Sequence, residues 1–145
     1  MIKFLQNRVG MNVPTENTAK VEMKRGAFVK VDEKAKQLDL AANDAEVYGV
    51  VVRDTLVTDD VALGCPVSEW DAEQDTIKAG ALAGVRVLVA GERYATDQHN
   101  VEDTTAGKYL KVQDGVLVAS ESAAKFVSLG FVTVAGHKML GFRLA

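Results

Sequence analysis

A catalytic chain must bring a few particular side chains together: a nucleophile beside a base, a pair of carboxylates, or metal ligands at short spacing. This sequence holds one cysteine, Cys65, and two histidines, His99 and His137. His99 stands in a polar stretch read as a loop, Asp97-Gln98-His99-Asn100, and His137 in a hairpin turn; neither has a partner at metal-ligand spacing. Cys65, followed by Pro66, could act as a nucleophile only beside a histidine, and by type it reads as a small, semi-buried residue at a strand edge. The alternating carboxylates of Glu69-Trp70-Asp71-Ala72-Glu73-Gln74-Asp75 could chelate calcium. They lack the turn glycine and closing glutamate of an EF-hand loop, and read as a solvated acidic face. Neither a nucleophile elbow nor a glycine-rich phosphate loop is present. No catalytic, cofactor-binding or metal-binding residue is assigned, and the expectation is a structural or binding module rather than an enzyme.

The elements that would carry any function are strands. Val is frequent, and its branched β-carbon suits a pleated, half-buried surface. Strand patterns run over Lys20–Lys24, Ala27–Val31, Leu38–Leu40, Val47–Arg53, Gly84–Ala90, Gly107–Val112, Val116–Ala119, Phe126–Val134 and Met139–Leu144. Asp114-Gly115 between two apolar runs is a hairpin signal. Tyr94–Thr105 reads as polar loop, and the helix candidates, Ser68–Glu73 and Ser120–Lys125, are short. The fold class is therefore all-β with little helix. Residues 1–20 keep no period and contain Pro14, which reads as an extended N-terminal arm before a single β-domain over 21–145.

That domain contains a duplication. Gly26-Ala27-Phe28-Val29-Lys30-Val31 matches Gly107-Lys108-Tyr109-Leu110-Lys111-Val112, and Leu38-Asp39-Leu40-Ala41 matches Val116-Leu117-Val118-Ala119. Tyr48-Gly49-Val50-Val51 lines up with Leu129-Gly130-Phe131-Val132, and Gly84-Val85-Arg86-Val87 with Gly141-Phe142-Arg143-Leu144. The spacing from Gly26 to Gly49 equals that from Gly107 to Gly130. Two quasi-repeats, about 26–90 and 107–145, could together bury a core as a small barrel or sandwich where one could not.

Composition narrows the partners. A formal charge of −3 with scattered Lys and Arg speaks against a nucleic-acid backbone, and no apolar run reaches membrane-spanning length. The strand grammar of Gly26–Val31, Tyr48–Val52, Ala106–Leu110, Leu129–Val132 and Phe142–Leu144 resembles that of the head-decoration, or capsid-cement, proteins of tailed bacteriophages. The resemblance implies a virion protein on the outer capsid surface, made in the host cytoplasm. It would bind the major capsid protein and itself as a homo-oligomer, a trimer by preference, and bridge neighbouring capsid subunits. Two alternatives stay open: another phage structural part, of tail or baseplate, and a cellular ligand-binding or carrier β-domain. For the second, Val21-Glu22-Met23-Lys24 is faintly similar to the carrier-lysine motif of biotinyl domains, with Arg25 where that motif has a methionine. The candidate partner-binding residues lie in the unmatched parts: Ile2, Phe4, Leu5, Val9, Met11 and Val13 in the arm, and Trp70 in the insertion between Val52 and Gly84.

Overall fold

The computed structural model describes residues 2–6, 17–52 and 75–145. In chain order the first strands are β1 (Ile2–Gln6), β2 (Asn17–Ala19), β3 (Met23–Lys24), β4 (Phe28–Asp32), β5 (Gln37–Leu40) and β6 (Gly49–Val52). A single 3-10 turn, Asp44–Glu46, separates β5 from β6. After them come β7 (Thr76–Ile77), β8 (Leu82–Arg86), β9 (Arg93–Thr96), β10 (His99–Asn100), β11 (Tyr109–Gln113), β12 (Val116–Ala119), β13 (Phe126–Val134) and β14 (His137–Leu144). The molecule is mostly β, as the Val-rich alternation predicts. Strands β2-β5-β4-β6-β8 close into a barrel, β1-β9-β14-β13-β11-β12-β10 form a seven-stranded sheet, and β3 pairs with β7.

The duplication is visible in the pairing. In the first unit β2 runs parallel to β5, while β5-β4, β4-β6 and β6-β8 are antiparallel. In the second, β10 runs parallel to β12, while β12-β11, β11-β13 and β13-β14 are antiparallel. Equivalent backbone bonds recur: Gly26 N–H donates to Val51 O and Gly107 N–H to Ser128 O, each at 2.8 Å. Ala41 N–H donates to Phe28 O and Ser120 N–H to Tyr109 O, each at 3.0 Å. Gly26 and Gly107 hold φ of 89° and 90°, a left-handed backbone that a side chain would strain, so this matched pair of glycines does one job twice.

Hydrogen-bond register also corrects two of the sequence matches. Val31 faces Leu38 and Val112 faces Leu117, so Leu38 is equivalent to Leu117, one residue beyond Val116. Phe28 faces Val50 and Tyr109 faces Val127, so Gly49 is equivalent to Phe126 and not to Gly130. The cause is loop length. Four residues join β4 to β5 but two join β11 to β12, and eight join β5 to β6 but six join β12 to β13. The equal glycine spacing is a coincidence of those deletions. Gly49 lets β6 approach β8, since a Cβ there would lie 2.4 Å from Arg86 O, whereas Gly130 holds φ +83° at a bulge in β13. The last match survives intact: Val50 faces Arg86 and Val127 faces Arg143, which makes Gly84-Val85-Arg86 equivalent to Gly141-Phe142-Arg143.

The units share one core. Phe28 and Val50 point out of the barrel into a cluster with Tyr94, Leu110, Leu117, Phe126, Leu140 and Phe142. Phe28 meets Phe126 and Phe142 at ring-centroid distances of 5.3 and 5.5 Å. Backbone bonds stitch the same boundary, with Phe28 N–H donating to Gly115 O at 2.9 Å and Gly115 N–H to Ala41 O at 2.8 Å. The Asp44 carboxylate accepts Val112 N–H at 2.5 Å and Lys125 N–H at 3.1 Å, standing where β11 and β13 separate beyond their two paired positions.

Four local readings change. Asn17–Ala19, inside the span read as arm, is a barrel stave. Lys20–Lys24 is strand only at Met23–Lys24. Ser120–Lys125 forms no helix, and Tyr94–Thr105, read as loop, supplies β10 and most of β9.

Candidate interaction surface

The arm's first strand determines where the candidate surface lies. Strand β9 is fixed on one side by β14, where Thr96, Ala95 and Tyr94 face Leu140, Gly141 and Phe142. Its opposite edge receives β1 antiparallel: Ile2 faces Thr96, Lys3 faces Ala95, Phe4 faces Tyr94 and Gln6 faces Arg93, with a register shift between Phe4 and Gln6. Extended backbone gains its hydrogen bonds by adding to a free sheet edge, so an apolar N-terminal stretch needs no particular side chains to dock.

The groups beneath that edge are polar and buried. Arg86 donates to the Glu92 carboxylate at 3.3 Å, with both side chains in the interior. Tyr94 Oη donates a short hydrogen bond to the same carboxylate and accepts Val89 N–H at 3.0 Å. Burial first, then the hydrogen bond to Glu92, pushes the Tyr94 phenol up to about 12, so it stays a donor at any ordinary pH. Its ring stacks on Phe142 at 5.4 Å. Such an ion pair fixes geometry more than it adds stability, because desolvating two charges offsets most of their attraction. Thr96 Oγ1 accepts Gln98 N–H at 3.0 Å at the end of the strand.

The sequence-derived contact residues fall as follows. Ile2 is 8% exposed and sits in the shared core, so in this conformation its side chain serves its own chain. Phe4 and Leu5 lie on β1, Phe4 in register with Tyr94 and Leu5 at the shift. Val9, Met11, Val13 and Trp70 lie outside the described residues. Lys24, the carrier-lysine candidate, is exposed on β3 and pairs through its backbone with Thr76.

Large apolar side chains that the sequence reading did not single out reach solvent at Leu82, Tyr48, Tyr109 and Val21. Leu82 is the most exposed, at 53%, on the barrel strand that closes against β2. Its signal in the sequence was the uncharged run Ala79-Gly80-Ala81-Leu82. A shallow depression of about 580 Å³ on the barrel is lined by Lys20, Lys30, Asp32, Glu33, Lys34 and Asp39 among others. Its charges neutralise locally, with Lys20 at 3.0 Å from Asp39 and Lys30 at 3.0 Å from Glu46. Among the described residues no three His, Cys, Asp or Glu side chains gather as a metal site requires. Compared with family models, with curated proteins and with solved structures, the chain finds no match.

Proposed function

We propose that this chain is a non-enzymatic structural protein of a phage head, which binds the outer surface of the capsid and stabilises it by bridging neighbouring subunits. The observation that carries the reading is the pairing of two like strand units into one body, with an apolar N-terminal strand added by its backbone to a rigid edge. The segments that bear the resemblance in sequence become β4, β6, β11, β13 and β14, the strands of the two units themselves. A rigid body of this kind suits a lattice, where many modest contacts repeat and add without any catalytic site. Its own association, as a trimer by preference, belongs to the same proposal.

The test is to mix purified protein with expanded capsids of the cognate phage and measure bound protein against concentration. Saturation at a fixed ratio to capsid subunits is the expected result. Absence of binding to those capsids overturns the proposal, and binding to isolated tails instead would move the protein to that structure. Sedimentation of the free protein reads the oligomeric state directly.

A further inference from the structure

The crossover from β9 to β10 carries an aromatic and cationic stack at the edge of the second unit. Residues 97–101 leave β9 near one edge of the seven-stranded sheet and enter β10 at the other. The His99 ring lies 5.6 Å from the Phe131 ring on β13, and Lys138 Nζ on β14 stands 3.9 Å from the centre of that same Phe131 ring. His99 Nδ1 accepts the N–H of Val101 at 3.3 Å, and Val101, 7% exposed, is an anchor in the shared core. On the other side Leu117 N–H donates to Gln98 O at 3.1 Å. The strap is thus held by one histidine acceptor, the backbone bond from Leu117, the bond from Gln98 N–H to Thr96 Oγ1, the two-residue ladder of β10 with β12, and one apolar plug.

We propose that the His99–Phe131–Lys138 stack is an acid-sensitive latch, in which protonation of His99 releases the 97–101 strap, β10 included, while the barrel and the rest of the seven-stranded sheet stay folded. A protonated Nδ1 is a donor and cannot accept the Val101 N–H. The new cation would also be half-buried against a ring whose attraction for cations already holds Lys138. The charged groups facing His99 are Asp97 on its own segment and Lys138 on β14, while β12 meets it with Leu117 and β13 with Phe131. Burial is the first cause holding the imidazole below its ordinary 6.5, against the backbone contact at Val101 and the Asp97 charge, with Lys138 pushing the same way as burial. A histidine lowered in the folded state stabilises the closed strap fully above 6.5. That contribution is lost as pH falls from there through the depressed value.

Hydrogen exchange of the Val101 and Leu117 amides, expressed as protection factors from pH 8 to pH 5, reads the latch, with the His99 ring titrated by NMR alongside. Protection of both should fall across the titration, by about tenfold for each pH unit separating the open and closed pKa values, while core amides of β4 and β6 keep theirs. H99Q, which retains an acceptor without a charge, should remove the fall, and H137Q should leave it. K138M should move the His99 midpoint upward. Protection that stays level while His99 titrates, or an equal fall in H99Q, overturns the latch.

Discussion

The unit made of β2, β4, β5, β6 and β8 closes into a barrel, and the unit made of β10 to β14 keeps the same pairing but stays open. The difference lies in six inner positions. The barrel strands contribute Ala19, Val29, Leu38, Val51, Ala83 and Val85 to a core cluster that Met23 and Ile77 of the β3-β7 pair complete. Register makes the six barrel residues equivalent to His99, Leu110, Leu117, Ser128, Leu140 and Phe142. A five-stranded barrel has little interior, since diameter grows with strand number. Two alanines and three valines fit it. Leucine for alanine, phenylalanine for valine and histidine for alanine do not, so the second unit spreads. Strand β9 takes the place beside β14 that β10 would hold in a closed barrel, and Phe28 and Tyr94 fill the opened space. Packing is also asymmetric: Phe28 is fully buried, but its equivalent Tyr109 is 39% exposed.

The sharpest way to break this comparison is at Phe28, which belongs to the barrel by chain and to the open sheet by packing. F28A should cost about 3–5 kcal/mol, as removal of a fully buried aromatic does. Unfolding in denaturant, followed by near-UV and far-UV signals, should remain one transition. Two separated transitions would show that the units are independent domains that merely touch.

Next come the two glycines. G49A would place a methyl group 2.4 Å from Arg86 O and 2.8 Å from a Val85 methyl, both hemmed in by the barrel seam, at a cost of about 3 kcal/mol. A Cβ on Gly130 would come no closer than 3.9 Å, to Ala106 N, so G130A meets only the strain of φ +83°, about 1–2 kcal/mol. Equal losses in equilibrium unfolding would restore the equivalence that spacing alone suggests.

These sites also show what the sequence could and could not convey. Alternation identified the strands because one face of each is buried, and Asp114-Gly115 marked its hairpin through the positive φ that both residues adopt. Gly26 with Gly107, and Gly84-Val85-Arg86 with Gly141-Phe142-Arg143, were legible because both members of each pair do the same work. Gly49 with Gly130 misled, because glycine serves close approach and bulges alike and only register separates them. Strand β9 was missed since it stands on buried polar groups: Tyr94 and Glu92 look like loop residues until Arg86 is placed beside them. Of the candidate contact surface, Ile2 was read as a partner-binding residue of the arm, and here it packs in the core of its own chain. That it docks on β9 of its own chain depends on long-range pairing that no local pattern encodes.

A smaller effect is expected at the boundary between units. D44A removes the acceptor for Val112 and Lys125 N–H and should cost about 2 kcal/mol. D44N keeps one carbonyl oxygen and should lose about half as much. Thermal unfolding of the two variants against the parent checks the order. If D44N matched the parent, charge would be irrelevant there and a single acceptor enough.

The smallest effect separates the outer faces of the two hairpins. In the barrel, Lys20 Nζ reaches Asp39 at 3.0 Å; in the open unit the position equivalent to Asp39 is Val118, which has no such pair. The hydrogen bond from Lys20 holds the Asp39 carboxyl below its ordinary 3.8. A carboxylate lowered in this way contributes stability above that value, and the contribution fades as pH falls through the folded pKa. Both side chains reach solvent, at 58% and 29%, so screening leaves little of it. K20M should therefore change stability at neutral pH by less than about 0.5 kcal/mol, while raising the Asp39 midpoint in an NMR titration. A loss comparable to that of D44A would mean that the barrel depends on its surface charges, and that closure is not decided by the size of its inner side chains alone.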